Sequence, residues 1–211
     1  MDAARIERVY SFYAGVYDHL FGPVFQSSRE ALIERLDACA GTRILEVGVG
    51  TGLLLPLYPS NVEVCGIDLA GRMIERAQAR AKRLELSHIA LARMDAGRMA
   101  LPDDCFDTVL AAYVVTAVPD YRAVLREMLR VCRPGGRVML LNHFTNGNGF
   151  LAACERAVSP LCTYLGFRTD LSLEQVLAGM PLAVVHHERV SPLGMWHLVE
   201  CRNAKPARSM A

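Results

Sequence analysis

Apolar positions along the chain recur with two periods, and their alternation predicts an α/β protein. Between residues 3 and 21, Ile6, Tyr10, Tyr13, Tyr17 and Leu20 follow at three- and four-residue spacing, with Val9, Val16 and Phe21 widening the stripe. That is the pattern of an amphipathic helix. Gly22-Pro23 closes it, and residues 28–38 form a second helix with Ser27 or Ser28 as its cap. Short, continuous apolar runs then take over. Residues 44–47, 62–68, 89–95, 108–114 and 137–142 read as strands buried on both faces. They alternate with helical patterns over 71–84 and 118–132, as a parallel sheet requires. A short helix stopped by Pro56 and Pro59 follows the first strand. Further on come an apolar, helix-like insertion over 150–166 broken by Pro160, a short helix at 173–177, and a closing hairpin of 183–190 with 194–201. The tail from Asn203 is expected to be disordered.

The first strand runs into Glu46-Val47-Gly48-Val49-Gly50-Thr51-Gly52, three glycines at alternate positions that turn the chain towards a helix starting near Thr51. Glycine is needed where the backbone takes φ > 0 or a ligand comes too close for a Cβ. A strand, a glycine turn and a helix start point to a nucleoside-type cofactor at the carboxyl edge of the sheet. The rival is the dinucleotide fingerprint G-x-G-x-x-G. Here Leu53 occupies the slot of its last glycine, and Glu46 would repel a pyrophosphate while accepting hydrogen bonds from an ammonium group. Asp68 ends the second strand, where a carboxylate grips ribose hydroxyls. Asp95, in Met94-Asp95-Ala96, ends the third, placed to accept from an adenine amino group. Three acids stand at three successive strand ends.

These stretches, with Leu69 and Met73 after Asp68, Leu101-Pro102-Asp103-Asp104-Cys105-Phe106-Asp107, and Arg133-Pro134-Gly135-Gly136-Arg137, resemble the successive motifs of class I S-adenosylmethionine-dependent methyltransferases. The resemblance covers residues 42–142. It implies a Rossmann-like sheet of seven strands, mostly parallel, with helices on both faces and an antiparallel C-terminal hairpin. It also implies S-adenosylmethionine as cofactor, held by Tyr10, Glu46, Gly48, Gly50, Gly52, Asp68, Leu69, Met73, Asp95, Ala96 and Tyr113.

Composition narrows the setting. With 211 residues, 52% hydrophobic and 21% charged, the chain fits one domain over 1–211 with a sizeable core. Seven cysteines without a C-x-x-C pair argue for a reducing cytosol. No signal peptide is expected, and no apolar run approaches the ~20 residues that would span a bilayer. The net charge of +1 hides an asymmetry: residues 1–70 carry five basic and nine acidic side chains, residues 71–137 twelve and eight. Arg72, Arg76, Arg80, Lys82 and Arg83 share one predicted helix, either a solvated face or a patch that meets an anionic surface. Without interleaved aromatics the pattern does not suit nucleic acid. A monomer is expected.

The acceptor side begins at Asn142-His143-Phe144, which the fifth strand delivers to the site edge. His143 is the candidate to contact or deprotonate a nucleophile; a plain surface histidine is the other reading. Arg156, Tyr164 and Arg168 punctuate the insertion, and an arginine fork there could pair with a phosphate. The order Tyr10-x-x-Tyr13-x-x-x-Tyr17-Asp18 ahead of the glycine turn, and Gly52-Leu53-Leu54-Leu55-Pro56-Leu57-Tyr58-Pro59 after it, resemble the small bacterial phosphatidylethanolamine N-methyltransferases; quinone methyltransferases share part of both. The first resemblance implies stepwise methyl transfer to phosphatidylethanolamine, towards phosphatidylcholine. The amine must lose its proton before it attacks, which needs a base or a desolvating pocket; His143 is the expected base, with Tyr13 or Tyr17 orienting either the amine or the cofactor's methionyl end. It also implies a phospholipid substrate met at an anionic membrane surface through the N-terminal helix, at the cytoplasmic face. A methyltransferase for a quinone precursor or another small acceptor is the alternative, and a nicotinamide oxidoreductase the rival from another class.

Overall fold

The computed structural model describes residues 25–145, 170–190 and 196–207. The helix expected over 3–21, the whole insertion over 150–166, and Tyr10, Tyr13, Tyr17, Arg156, Tyr164 and Arg168 therefore lie outside the described residues. Seven strands form one sheet in the order β3-β2-β1-β4-β5-β7-β6. They are β1 Arg43–Val47, β2 Glu63–Asp68, β3 Ile89–Arg93, β4 Phe106–Ala112, β5 Cys132–Asn142, β6 Leu182–Val190 and β7 Trp196–Asn203. The first five pair in parallel, whereas β7 runs antiparallel to both β5 and β6. The mostly parallel sheet with an antiparallel end is the architecture the sequence implies.

Side-chain alternation divides the core in two. Ile44, Leu110 and Leu141 pack on one face beneath α1 (Gln26–Leu36) and α2 (Gly71–Arg83). Leu45, Val109 and Val138 pack on the other beneath α3 (Tyr121–Val131) and α4 (Leu173–Leu177). Both neighbours in β1, Ile44 and Leu45, are fully buried, which explains why the strand reads as an unbroken apolar run. Helix α1 turns Ser28, Leu32 and Leu36 inward at four-residue spacing. Burying each of its two leucines contributes about 1.5–3 kcal/mol.

Four expectations need correction. No α-helix follows the glycine turn; a 3-10 turn at Leu55–Leu57 stands there, because Gly50 and Gly52 both take positive φ and Pro56 lacks a donor. Neither Ser27 nor Ser28 caps α1: its N-cap is Phe25, and the Ser28 hydroxyl instead meets the Phe25 carbonyl and the Tyr113 hydroxyl. Gly135-Gly136 is not a turn before β5 but an irregularity within it, where the register against β4 shifts between Phe106 and Thr108. A Cβ on Gly136 would lie 2.7 Å from the Cys132 sulfur, so the strand closes there only on glycine. Finally, Asn203 is no start of a disordered tail. It is 1% exposed, and its side-chain amide donates to the carbonyls of Leu129, Cys132 and Arg133. Lys205 adds bonds to the carbonyls of Leu129 and Arg130 and an ion pair to Asp104. Together they satisfy the orphan carbonyls at the end of α3.

Helix α1 is fixed to the sheet through charge. The Glu200 carboxylate, 3% exposed, accepts from Arg137 Nε and Arg35 Nε at 2.8 Å each. Arg137 also donates to the carbonyls of Leu36 and Arg35, the last residues of α1. This anchor decides where the opposite end of α1 meets the strand ends.

Candidate functional site

The parallel strands present their carboxyl ends at one edge, and the chemistry-bearing residues gather there. A cavity of about 350 Å³ opens between the ends of β1, β2, β3 and β4. Eight of the residues expected to hold a nucleoside cofactor border it: Gly48, Gly50, Asp68, Leu69, Met73, Asp95, Ala96 and Tyr113. Its size suits a small molecule.

The glycines shape its floor. The amides of Gly48 and Val49 both donate to the Ile67 carbonyl, holding the turn against β2. Gly48 has φ 72°, and a Cβ there would lie 2.3 Å from a Val114 methyl. Gly50, at φ 56°, would carry a Cβ that meets nothing within 4 Å. Since Gly50 borders the cavity, a side chain there would fill ligand space, so the cradle fits a bound nucleoside. Gly52 does not line this cavity; its missing Cβ leaves room for Leu55 and Ala77.

Asp68 works in two directions. Its two oxygens accept from the amides of Gly50, at 2.9 Å, and Ala70, at 2.8 Å. The carboxylate borders the cavity, where it can accept from a diol. Burial pushes this carboxyl above the usual aspartate range, and the Ala70 and Gly50 amides pull against it. Asp95 accepts from the Gly97 amide at 2.8 Å and borders the opposite end of the cavity.

A smaller cavity of about 50 Å³ adjoins the first and is bordered by Phe25, Arg29, Glu46, Gly48, Gly50 and Tyr113, among others. Glu46 is 3% exposed and accepts from the Tyr58 hydroxyl at 2.9 Å. Burial drives its carboxyl up to about 8, against the pull of Tyr58 and Arg29. A buried acid and a buried guanidinium share this recess, placed to meet the two ends of an amino-acid group. The elevated value has a sign for stability. Between the ordinary glutamate range and about 8, the folded protein holds a proton that the unfolded chain releases, so stability falls as pH rises across that window. Urea unfolding of ligand-free protein is expected to show Glu46→Gln gaining on the wild type from pH 5 to pH 8. Parallel pH profiles would contradict this.

Tyr113 stands where the two cavities meet. It follows β4 at φ 63°, a conformation disfavoured for a side chain of this size. Its amide donates to the Leu141 carbonyl at 2.6 Å, and its hydroxyl shares a 2.7 Å bond with Ser28. The ring packs against Phe25 and Trp196. His143 borders neither cavity; its ring stands edge-on to Trp196 at 6.0 Å. Its neighbours Asn142 and Phe144 point to the opposite face of the sheet. There Asn142 accepts from the Val115 amide and donates to Thr116, fixing the turn after β4. His197, on that same opposite face, is bonded to His187 at 2.8 Å, and burial lowers it to about 4. Phe25, Arg29 and Trp196 carry no sequence signal that marks them for the site, since each is brought in by tertiary packing alone.

Residues 45–140 match the family described as "Methyltransferase domain". The phosphatidylethanolamine N-methyltransferase of Cereibacter sphaeroides is 41% identical over 197 residues, 93% of this chain and 96% of that protein. The demethylmenaquinone methyltransferase of Anoxybacillus flavithermus is 31% identical over 146 residues, 65% of this chain and 61% of that one. Among solved structures, a geranyl diphosphate methyltransferase in complex with SAM superposes with a TM-score of 0.68 at 14% identity, covering 83% of this chain and 84% of that one.

Proposed function

The chain belongs to the S-adenosylmethionine-dependent methyltransferases, and on that premise we propose that it methylates the ethanolamine nitrogen of phosphatidylethanolamine, stepwise towards phosphatidylcholine. One observation carries the choice of acceptor. The similarity to the Cereibacter sphaeroides enzyme runs through nearly the whole chain, the acceptor side included, whereas the similarity to the demethylmenaquinone enzyme covers about two-thirds of either protein.

The residues divide the work as follows. Asp68 takes the ribose hydroxyls and Asp95 the adenine amino group, with Leu69, Met73 and Ala96 as apolar walls. Glu46 receives the ammonium and Arg29 the carboxylate of the amino-acid end. S-adenosylmethionine, when bound, supplies an electrophilic methyl: the amine lone pair forms the C–N bond while the C–S bond breaks and sulfur keeps its electrons. The rate gain lies mainly in holding the two reactants in line. An ammonium has no lone pair, so each round needs a proton removed first, and His143 takes it. Tyr10 belongs to the cofactor site, Tyr13 or Tyr17 orients the amine or the cofactor's methionyl end, and Arg156, Tyr164 and Arg168 serve the lipid substrate, with Arg156 or Arg168 pairing its phosphate.

Among the described residues no helix is long and apolar enough to cross a membrane. The lipid is reached by docking the N-terminal helix on the anionic cytoplasmic face. The test is incubation with labelled S-adenosylmethionine and phosphatidylethanolamine vesicles. Label is expected in mono-, di- and trimethylated lipid, and His143→Gln is expected to slow it by roughly 10²–10⁴-fold with S-adenosylhomocysteine affinity unchanged. No lipid label from protein that still binds S-adenosylhomocysteine would overturn the acceptor, and full activity in the variant would remove His143 as base.

A further inference from the structure

We propose that Phe25, Tyr113 and Trp196 form an aromatic wall that receives the methylated ammonium of the acceptor, and that this wall carries the reaction through its later rounds. The proposal rests on the phospholipid reading above and deepens it.

Three rings from distant parts of the chain converge at the carboxyl edge of the sheet. Phe25 precedes α1, Tyr113 follows β4, and Trp196 opens β7. Phe25 stacks on Tyr113 with centroids 4.9 Å apart. Trp196 stands edge-on to both, at 4.8 Å from Phe25 and 5.0 Å from Tyr113. Rings that served the core alone would be buried as Phe144 is; these three and His143 are only partly buried. They also share a sheet face with His143, so the wall and the proposed base lie side by side. Tyr113 borders both cavities of the donor site, which places the wall against the point where a methyl would be handed over. Its φ of 63° is a strained setting, maintained by the bonds to Ser28 and Leu141. Strain of that kind persists where the position of a side chain matters.

The acceptor's chemistry supplies the ligand. Each round replaces an N–H by an N–CH₃ and leaves the positive charge after attack. The primary ammonium is recognised by hydrogen-bond acceptors, but the trimethylated one has no donor left. A methylated ammonium is held by the faces of aromatic rings, tryptophan best of all. Trp196 is the one tryptophan in the chain.

That uniqueness gives a direct test on the unmodified protein: titrate Trp196 emission with phosphocholine and with phosphoethanolamine. Phosphocholine is expected to change the emission at concentrations where phosphoethanolamine does not, and equal responses, or none, would overturn the wall. The second arm compares vesicles of phosphatidylethanolamine and of its dimethylated form as acceptors. Trp196→Leu is expected to lose about tenfold more kcat/KM on the dimethylated lipid than on the primary amine. Trp196→Phe, which keeps a ring face, should recover most of that loss, and S-adenosylhomocysteine affinity should stay constant in both. Equal loss on the two lipids would make the ring a packing element and overturn the proposal. If the wild type methylates neither lipid, the acceptor reading fails and the emission titration still decides the wall.

Discussion

Asp68→Ala is expected to weaken S-adenosylhomocysteine binding by at least ~100-fold, because one carboxylate both shapes the glycine turn and faces the cavity. Its oxygens hold the amides of Gly50 and Ala70 at 2.9 and 2.8 Å. Removing it frees the Gly50 amide from its position at the cavity wall and deletes the acceptors for the ribose hydroxyls. Hydrogen bonds to a charged group contribute about 1.5–3 kcal/mol each, so losing two accounts for a hundredfold or more. Asp68→Asn keeps one acceptor oxygen and should fall between. Calorimetric titration measures the affinity, and a circular-dichroism melt of the same variants separates lost binding from lost fold. Affinity within threefold of the wild type would exclude Asp68 from the ribose site.

Arg137→Ala should produce the largest loss of stability. Its guanidinium joins β5 to Glu200 on β7 and to the last carbonyls of α1, and it leaves a carboxylate that is 3% exposed with Arg35 as partner. Removing one partner of a buried ion pair costs up to about 3–5 kcal/mol, and here Arg35 keeps part of the charge compensated. In a domain of this size that lowers Tm by roughly 10 °C. The pH dependence has a definite sign. Burial pushes the Glu200 carboxyl up, but Arg137 and Arg35 outweigh it and hold it below the ordinary glutamate range. Its contribution is therefore complete above that range and is lost as pH falls through the depressed folded value. The stability gap between wild type and variant should narrow on acidification below about pH 4. A gap unchanged at low pH would mean that Arg137 acts through α1 alone.

The parts of the site visible in the sequence are those written in consecutive residues. A strand, its terminal acid and a glycine turn are local, and the ends of β1, β2 and β3 place Glu46, Asp68 and Asp95 where the spacing predicts. The glycine turn misled only at its exit, since two positive-φ glycines and Pro56 stop the helix that the apolar run suggests. What stayed hidden depends on long-range packing. Phe25 and Trp196 meet at 4.8 Å across most of the chain, and no periodicity links them. Asn203 is hidden for the same reason: a polar residue near the end of a strand looks solvated until Leu129 of α3 and Cys132 and Arg133 at the start of β5 supply three carbonyls for it. His143 was found as a type at a strand end, but which sheet face it takes follows from its register opposite Trp196 in β7.

The position of β7 has a consequence for how the protein comes into being. It is the last strand in sequence, yet it lies inside the sheet, between β5 and β6. On the ribosome, β1 to β5 can pair as they emerge, since domains generally form from the N-terminal side during synthesis. Strand β6 cannot: among the described residues it pairs with β7 alone, so it has no partner strand until β7 arrives. Until the stretch from Trp196 to Asn203 has been made, β6 therefore lacks the strand that joins it to the rest of the sheet.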